Sequence, residues 1–321
     1  MPSPNPGDVH INTALTNLSI AYKQDADAYI AEKVFPFVGV SKQSDSYYKY
    51  EKGCFFRDAA KLRAPATESA GGGFDLADDS YRCKKWSFHK DNDEDTEANA
   101  DEVLNMEEDA ADFVMETLLI RRERLFIQTY FGSGIWGTDE TGTTNFVKWD
   151  DYATSDPGED IKRGRMGILI STGRLPNRLV VGYKVHEALK THPLIKTYFF
   201  GNNAQGTITK QMLATYFEVA EYCVSYALFT QDDASVADPT LELIAGNHAL
   251  LVYAAPKPSK MLPSGGYIFG WKGLTGLNNI GVRTKKFYMD KEDATRIETD
   301  MCFDMKLVAA DMGHMFLDAV D

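Results

Sequence analysis

One stretch of the chain, residues 41–131, limits what the chain can fold into more than any other. A polar segment (41–90) is followed by an acidic block (91–112), and a long helix pattern starts within that block. The polar segment has few apolar residues and three consecutive glycines, Gly71 to Gly73, so it cannot build a core of its own. It needs a surface to lie on, and a second copy of the chain is the simplest candidate. The pattern therefore favours assembly over catalysis.

Charge is segregated along this stretch. The polar segment is basic on balance, whereas the acidic block carries eleven Asp or Glu and no Lys or Arg. A basic arm and a separate acidic surface suit head-to-tail pairing of copies. We therefore predict that the arm docks near the acidic block of an adjacent subunit, through Lys42, Lys49, Lys52, Arg57, Arg63, Asp91, Asp93, Glu94 and Asp95. A solvated loop with ordinary surface charge is the alternative that residue counting leaves open.

Composition narrows the class of protein. The chain has 321 residues, 44% hydrophobic content and a formal net charge of −13. It can bury a full core, which we expect to divide into two lobes, and its charge argues against tight nucleic-acid binding. It contains no apolar run of about 18 residues, and its N-terminus lacks the basic start of a signal peptide. The four scattered cysteines form no CxxC pair, so we expect reduced thiols in a cytosolic protein.

Two long periodic segments dominate the predicted secondary structure. A helix is predicted from Met106 to about Phe131, with Asn105 as N-cap and Glu108 completing a capping box, and it would be roughly 40 Å long. Alternation from Thr295 to Val308 predicts a long strand with one wet face, which we expect to pack against the helix. The segment from Gly313 to Val320 is predicted to return as an antiparallel strand.

Shorter elements complete an α+β fold with a mixed middle region. They are a helix within Thr13–Ala31, an extended run Val34–Val40, hairpin strands Ser46–Tyr50 and Asp79–Phe88, a helix Asp160–Thr172, a strand Arg178–Val181, a helix Tyr183–Lys190, a loop Pro193–Gly206, a helix capped by Thr209 and ending near Val219, strands Tyr222–Thr230 and Ala249–Ala255, and a loop Ser264–Gly281.

Motifs with chemical meaning are weak. A GxGxxG match at 132–137 follows a helix, whereas the dinucleotide fingerprint follows a strand. Residues 91–102 resemble a calcium loop, but Thr96 replaces the required glycine; adventitious cation binding stays open beside a solvated acidic block. No HExxH, GxSxG or P-loop is present, so we predict no catalytic residue, cofactor or metal site. The aromatic residues of the arm favour interface anchors over base stacking: Tyr47, Tyr48, Phe55, Phe56 and Trp86.

The order of several short patterns resembles the N-terminal half of major capsid proteins of tailed double-stranded DNA bacteriophages, whose fold is shared with encapsulins. The patterns are Val34-Phe35-Pro36, Tyr47-Tyr48-Lys49-Tyr50, Phe56-Arg57-Asp58, Arg63-Ala64-Pro65, Asp91 to Asp95, Asn99-Ala100-Asp101 and the long helix with its Arg/Glu-rich turn. A weaker resemblance covers Pro176 to Phe199, where Leu179-Val180-Val181-Gly182 leads into a helix.

The resemblance implies the phage major-capsid fold. Its parts would be an N-terminal arm (1–40), an extended hairpin loop (41–95), a peripheral lobe with a long spine helix and long β-strands (96–182 and 281–321) and an inserted axial lobe (183–280). It also implies a non-enzymatic subunit that self-assembles into pentamers and hexamers of an icosahedral shell around double-stranded DNA. The DNA would be held without sequence-specific binding.

The resemblance further implies partners and a location. Because no long helical N-terminal extension is present, we expect a separate scaffolding protein, together with a portal and a decoration protein. The subunit would assemble in the bacterial host cytoplasm, without a membrane, and end in the virion capsid. Three alternatives remain: an encapsulin-like host compartment, a cytosolic enzyme with an unrecognised site, and a phage tail structural protein.

Overall fold

The computed structural model describes residues 24–50, 52–99, 105–201, 206–233, 235–236, 238–258, 263–273 and 281–321. Its helices are α1 (Ala31–Val34), α2 (Lys52–Phe55), α3 (Glu94–Ala98), α4 (Met106–Tyr130), α5 (Pro157–Thr172), α6 (Tyr183–Thr191), α7 (Pro193–Phe200) and α8 (Lys210–Tyr216). Its strands are β1 (Phe37–Val40), β2 (Ser44–Tyr50), β3 (Leu76–Arg82), β4 (Lys84–Asp93), β5 (Thr138–Thr141), β6 (Arg178–Gly182), β7 (Glu221–Ser225), β8 (Leu228–Phe229), β9 (Glu242–Leu243), β10 (Ala249–Val252), β11 (Gly266–Trp271), β12 (Val282–Met289), β13 (Ala294–Leu307) and β14 (Gly313–Leu317).

The long strand β13 is the centre of the first sheet. One of its edges pairs with β4 over ten residues, from Ala294 opposite Asp93 to Phe303 opposite Lys84. Its other edge is shared by β12 and β11, and β1 adds a parallel strand beyond β11. Gly266 at the start of β11 must be glycine because a Cβ there would lie 2.4 Å from the ring of Phe35.

The helix α4, called the spine helix below, packs along β4 and β13. The Asn105 side chain caps it by accepting the Glu108 N–H at 3.4 Å, and the 25-residue helix spans about 38 Å. Leu118, Phe126 and Ile127 belong to the same core as Met301 and Phe303 of β13. The Tyr130 hydroxyl donates to the Met305 carbonyl at 2.7 Å, which ties the end of the helix to the strand.

The second sheet has the order β5-β14-β10-β6-β7 and brings distant parts of the chain together. The helices α5, α6 and α8 pack on it, and its core contains Trp149 and Phe316, which are fully buried. The helix α5 begins at Pro157, because the Asp156 side chain accepts the N–H groups of Gly158 and Glu159. It ends at Gly173, which has a positive φ of 68°.

The two long elements and several short ones agree with the sequence predictions. The spine helix and its cap, the long strand and its packing on the helix, the helix α5, the strand β6 and the helix α6 are confirmed. The Thr209 side chain caps α8 as predicted, although that helix ends at Tyr216. The predicted helix from Thr13 to Ala31 lies largely outside the described residues, and its last part is a 3-10 turn over Ala26–Ala28.

Two predicted loops are wrong. The segment Pro193–Gly206 begins with α7, because Pro193 suits the first turn and the His192 side chain accepts the Leu194 N–H at 3.3 Å. The segment Ser264–Gly281 contains the buried strand β11, whose glycines allow close packing where the sequence suggested a loop.

Three strand predictions need correction. The strand predicted over Asp79–Phe88 divides at Cys83 into β3, which pairs with β2, and β4, which joins the first sheet. The strand predicted over Tyr222–Thr230 divides into β7 and β8. The last strand, β14, pairs with β10 and β5 in the second sheet, so it does not return along β13.

The expected wet face of β13 is also not wet throughout. Asp300 and Cys302 on that face are fully buried. Asp300 is covered by the long side chains of Lys85 from β4 and of Arg283 and Lys285 from β12, which pair with its carboxylate.

Candidate functional site

Most of the predicted basic arm (41–90) is a hairpin loop, residues 44–82, whose strands belong to neither main sheet. Its strands β2 and β3 pair only with each other, from Ser44 opposite Arg82 to Tyr50 opposite Leu76. Beyond α2, residues 56–75 form no regular helix or strand and are exposed. A two-stranded hairpin is marginal by itself in water. This one is attached at its base, where Tyr81 stacks on Phe269 of β11 with ring centroids 4.6 Å apart.

The basic residues on the outgoing side of the loop have acidic partners within the chain. Lys42 pairs with Asp45 at 3.0 Å, and Lys49 pairs with Asp79 at 2.8 Å. The Lys49 ammonium lowers the pKa of the Asp79 carboxyl to about 2, so this cross-strand pair stays ionised. Lys52 pairs with Asp311, in the 3-10 turn that precedes β14.

The far end of the loop contains a turn. The Arg63 guanidinium donates to the Thr67 carbonyl at 2.6 Å, and the Thr67 hydroxyl donates back to the Ala64 carbonyl at 2.7 Å. The side chain of the neighbouring Leu62 is fully exposed. Arg57 is also exposed. The predicted contact residues Arg57 and Arg63 are thus on the solvent side of the loop.

An aromatic cluster occupies the middle of the hairpin loop. The rings of Tyr50, Phe55 and Phe74 lie 5.5 to 6.2 Å from one another, yet Phe55 and Phe74 remain 54% and 56% exposed. Half-exposed aromatic rings gathered in one place are typical of a surface that another molecule covers. Phe55 was among the anchors predicted from the sequence. Phe74 was missed because it lies more than fifteen positions along the chain, after a glycine run.

The other predicted anchors have different environments. Tyr48 and Phe56 are 72% and 65% exposed, as an anchor must be before assembly. The Phe56 ring also approaches Gly173, where a Cβ would lie only 2.9 Å away. In contrast, Tyr47 packs on Phe269 at 5.4 Å, and Trp86 lies under the Arg121 guanidinium at 4.7 Å. The last two aromatic residues therefore have partners inside the subunit.

Most of the acidic contact residues also have partners within the subunit. Asp91 accepts two hydrogen bonds from Arg296, each 2.7 Å, and this guanidinium lowers the pKa of the carboxyl. Asp93 caps α3 by accepting the Thr96 N–H at 3.1 Å. Glu94 accepts a hydrogen bond from the Tyr288 hydroxyl at 3.0 Å.

Asp95, in the first turn of α3, is the exception among these acids, because its exposed side chain has no partner among the described residues. The described partners of the nine predicted contact residues therefore lie within the loop, at Asp311, on the first sheet or, for Asp93, in α3, and none of them joins the arm to the acidic segment of the same chain. Contact between these two surfaces in neighbouring subunits stays a prediction.

The resemblance to a calcium loop has no counterpart in the local geometry. Asp91 and Asp93 belong to β4, and Glu94 and Asp95 begin α3, so the residues form a strand–helix junction. In the part of the chain that the structure describes, no three His, Cys, Asp or Glu side chains are grouped as a metal site. No helix of that part is long and apolar enough to cross a membrane.

One Ser–His pair could be mistaken for catalytic machinery. Ser155 Oγ lies 3.0 Å from His192 Nε2, and both residues are buried. His192 Nδ1 accepts the Leu194 N–H, so in the neutral ring Nε2 carries the proton and donates to Ser155. The Ser155 hydroxyl in turn donates to the Asp151 carbonyl at 2.6 Å. The histidine therefore cannot act as a base toward this serine, and the pair is structural.

The three cysteines whose side chains the structure describes show no sign of activation. Cys83, Cys223 and Cys302 are buried and unbridged. Burial raises the pKa of the Cys83 and Cys223 thiols to about 12, so they are protonated at neutral pH.

Comparison with known proteins agrees with this geometry. No family model matches the chain. The sequence is 25% identical over 274 residues to the major capsid protein of Burkholderia phage BcepMu, covering 82% of this chain and 84% of that protein. A phage-related protein from Bordetella bronchiseptica has a TM-score of 0.68 at 20% identity, over 92% of this chain and 93% of the other.

The fold is also similar to solved structures of a phage capsid and of an encapsulin. The capsid structure of cyanophage P-SCSP1u gives a TM-score of 0.61 at 12% identity, covering 97% of this chain and 93% of the other. The SrpI encapsulin of Synechococcus elongatus gives 0.54 at 9% identity, with coverages of 96% and 95%. The chain has the α+β fold of phage capsid proteins and encapsulins. Its particular resemblance is to phage major capsid proteins, as predicted, and this points to a structural protein of the virion.

Proposed function

We propose that this chain is a major capsid protein that self-assembles into pentamers and hexamers of an icosahedral phage shell enclosing double-stranded DNA. The observation that carries the proposal is the hairpin loop, whose strands belong to neither main sheet and which exposes an aromatic cluster that a neighbour can cover. The similarity to a phage major capsid protein, over 82% of this chain, supports the same function. Heterologous contacts of this kind close into rings.

The division into parts belongs to the proposal. The N-terminal arm, which is distinct from the basic arm, would be residues 1–40, the extended loop 41–95, the peripheral lobe 96–182 with 281–321, and the axial lobe 183–280. The packing of the spine helix on β4 and β13 supports a peripheral unit. The second sheet joins β5 and β14 from the first of these lobes to β7 and β10 from the other, so the two lobes would share one sheet.

Partners follow from the same proposal. A scaffolding protein would direct assembly in the host cytoplasm, a portal would occupy one vertex, and a decoration protein would bind the finished shell. DNA would be enclosed through non-specific contacts, in keeping with the net charge of −13. The encapsulin alternative is supported by fold alone, since that likeness is at 9% identity.

The intersubunit contact is proposed to combine the aromatic cluster with the charge pairs predicted above. Lys49 and Lys52 already have partners in the subunit, so their charges would contribute little new energy unless these pairs exchange on assembly. Burial of Phe55 and Phe74 would contribute more, because each ring still has about half of its surface to remove from water.

The test is assembly of the full-length protein, followed by size-exclusion chromatography with light scattering and negative-stain microscopy. We expect closed particles or five- and six-fold rings, with added scaffolding protein if the subunit alone stays monomeric. Rings or tubes without closed shells would favour a tail protein. A monomer that no scaffold assembles would overturn the proposal in favour of an enzyme. Nucleic acid inside the particles, as opposed to a cargo protein, separates a phage capsid from an encapsulin.

Variants of the loop test which part of it makes the contact. We expect Phe55→Ser with Phe74→Ser to lower the particle yield at least tenfold, because about half of each ring would no longer be buried between subunits. Charge reversal at Lys49, Lys52 and Arg57 should alter the salt dependence of assembly. Ser44→Ala, an exposed polar position at the base of the hairpin, is the control. Normal yield from both loop variants would remove the loop from the interface.

A further inference from the structure

The chain enters the body of the subunit through two adjoining segments that are held in different ways. The first, which we call the anchor, is Ile30–Phe35. Ile30, Val34 and Phe35 are fully buried, and the Phe35 ring packs on Phe126 and Tyr130 of the spine helix at 5.1 and 4.7 Å. Removing the anchor would open the main core, so it must stay in place whenever the subunit is folded.

The second segment, Gln24–Tyr29, which we call the clasp, is held by polar contacts of Gln24 and Tyr29 and by the buried side chains of Ala28 and Tyr29. The Gln24 side chain donates to the Leu228 carbonyl and accepts the Leu228 N–H, both at 2.8 Å. Its backbone N–H donates to Glu116 of the spine helix at 3.3 Å, and the Tyr29 hydroxyl donates to the same carboxylate at 2.5 Å. The clasp therefore contacts the spine helix on one side and β8 on the other.

The strands β8 and β9 depend on this segment. They form a ribbon of two residues each, which is too short to be stable by itself. Its apolar support is a small cluster in which Ala28 and Tyr29 pack with Ala227 and Ile244. The Gln24 amide completes the ribbon by occupying the N–H and C=O of Leu228 as a neighbouring strand would.

We propose that the clasp is a releasable link: it couples the position of the chain at residue 24 to the β8–β9 ribbon, and both detach from the spine helix together while the anchor stays docked. The contrast in contacts supports this. At the start of the clasp Gln24 is only half-buried and Asp25 and Asp27 are exposed, so its polar bonds there can be exchanged for bonds to water, whereas Ile30, Val34 and Phe35 of the anchor are fully buried. A pull on residue 24 is thereby transmitted to Leu228, on the far side of the clasp.

The experiment is amide hydrogen exchange on the full-length chain at single-residue resolution. In Gln24→Ala we expect exchange at the Leu228 amide to accelerate about fivefold or more, because its partner is removed, and exchange at the Ile244 amide to rise as the ribbon lifts. Gln24→Glu keeps an acceptor for the Leu228 N–H and should protect it better than alanine does. The amides of Ile30 and Ala31 in the anchor should not change.

A control separates the clasp from general destabilisation. Asp27→Ala removes the ion pair of Asp27 with Lys33, which lies 2.9 Å away and joins the segment only to the start of the body. We expect no change at Leu228 in this variant. Two results would overturn the inference: an unchanged Leu228 amide in Gln24→Ala, or an equal acceleration at Leu228 and at the central strand amides of Leu179 and Leu251.

Discussion

Glu123 makes the stability of this protein depend on pH in a direction opposite to that of most carboxylates. It lies in the middle of the spine helix, is fully buried, and its two carboxylate oxygens accept the N–H groups of Ile30 and Ala31, each at 3.0 Å. Burial raises the pKa of the Glu123 carboxyl to about 7, against the hydrogen bonds from these amides and the charge of Arg122.

The sign follows from proton linkage. The pKa in the folded state lies above the value of 4.5 for an exposed glutamate, so the folded state holds a proton that the unfolded chain releases. Its stabilising contribution is complete below pH 4.5 and is lost as pH rises toward 7. A shift of about 2.5 units at about 1.4 kcal/mol each gives roughly 3 kcal/mol of unfolding free energy.

The perturbation is Glu123→Gln, which removes the titration. Glutamine offers one acceptor oxygen to two N–H groups, so we expect the variant to be less stable than the natural protein at pH 5 by about 1–3 kcal/mol. The difference should change by about 2.5 kcal/mol in favour of the variant between pH 5 and pH 8, so that at pH 8 the variant is about as stable as the natural protein or slightly more stable. Other titrating groups, such as the buried histidines, act in both proteins and cancel in the difference.

The assay is guanidinium unfolding followed by tryptophan fluorescence at pH 5, 6, 7 and 8. Leu118→Ala, a core substitution on the same helix, serves as control, because it should cost about 2–5 kcal/mol equally at every pH. A stability difference between Glu123→Gln and the natural protein that stays constant over this range would refute the assigned protonation of Glu123.

Two further predictions concern the first sheet and the hairpin loop. Burial opposes ionisation of Asp300, but hydrogen bonds from Ser87, Lys285, Arg283 and Lys85 outweigh it and lower the pKa of its carboxyl. Asp300→Asn should therefore lower the free energy of unfolding by about 3 kcal/mol at pH 7, and by progressively less as the pH falls below 4. An equal loss at pH 7 and pH 2, in thermal or chemical unfolding, would contradict this prediction. Trypsin should cut the unassembled subunit first after Arg57, Lys61 or Arg63, all exposed, and cut the assembled particle at these sites at least tenfold more slowly; equal rates would mean that assembly leaves the loop uncovered.

The elements that the sequence predicted well carry their signal locally. The spine helix has its own cap at Asn105 and a stripe of apolar residues, and β13 has strict alternation, so both bounds agree with the structure to within about two residues. The helix α7 was missed because its N-cap is His192, and histidine is not among the residues that commonly cap a helix N-terminus. The strand β11 was missed because it lies in a glycine-rich segment, and such a composition is typical of a loop.

Long-range partners could not be predicted from local pattern. The strand β14 pairs with β10 and not with β13, and β10 lies more than sixty residues earlier in the chain. For the candidate site, the exposed aromatic rings of the arm were predicted in part, but the ion pairs of Lys49 with Asp79 and of Asp91 with Arg296 were not. Counting charged residues gives the sign of the net charge of a segment. Which residues form ion pairs depends on strand register, which is set by the fold.

The position of β13 also fixes when this protein can fold during synthesis. The strand β4 pairs with residues about 200 positions later, and β1 pairs with β11, so the first sheet cannot close until residue 307 has left the ribosome. The second sheet waits for β14, which is made later still. The hairpin loop is therefore synthesised long before β11, which contacts its base, and the spine helix long before β13, which covers its apolar side. A nascent chain of this kind is exposed to aggregation for most of its synthesis, and loss of the last thirty residues would leave neither sheet complete.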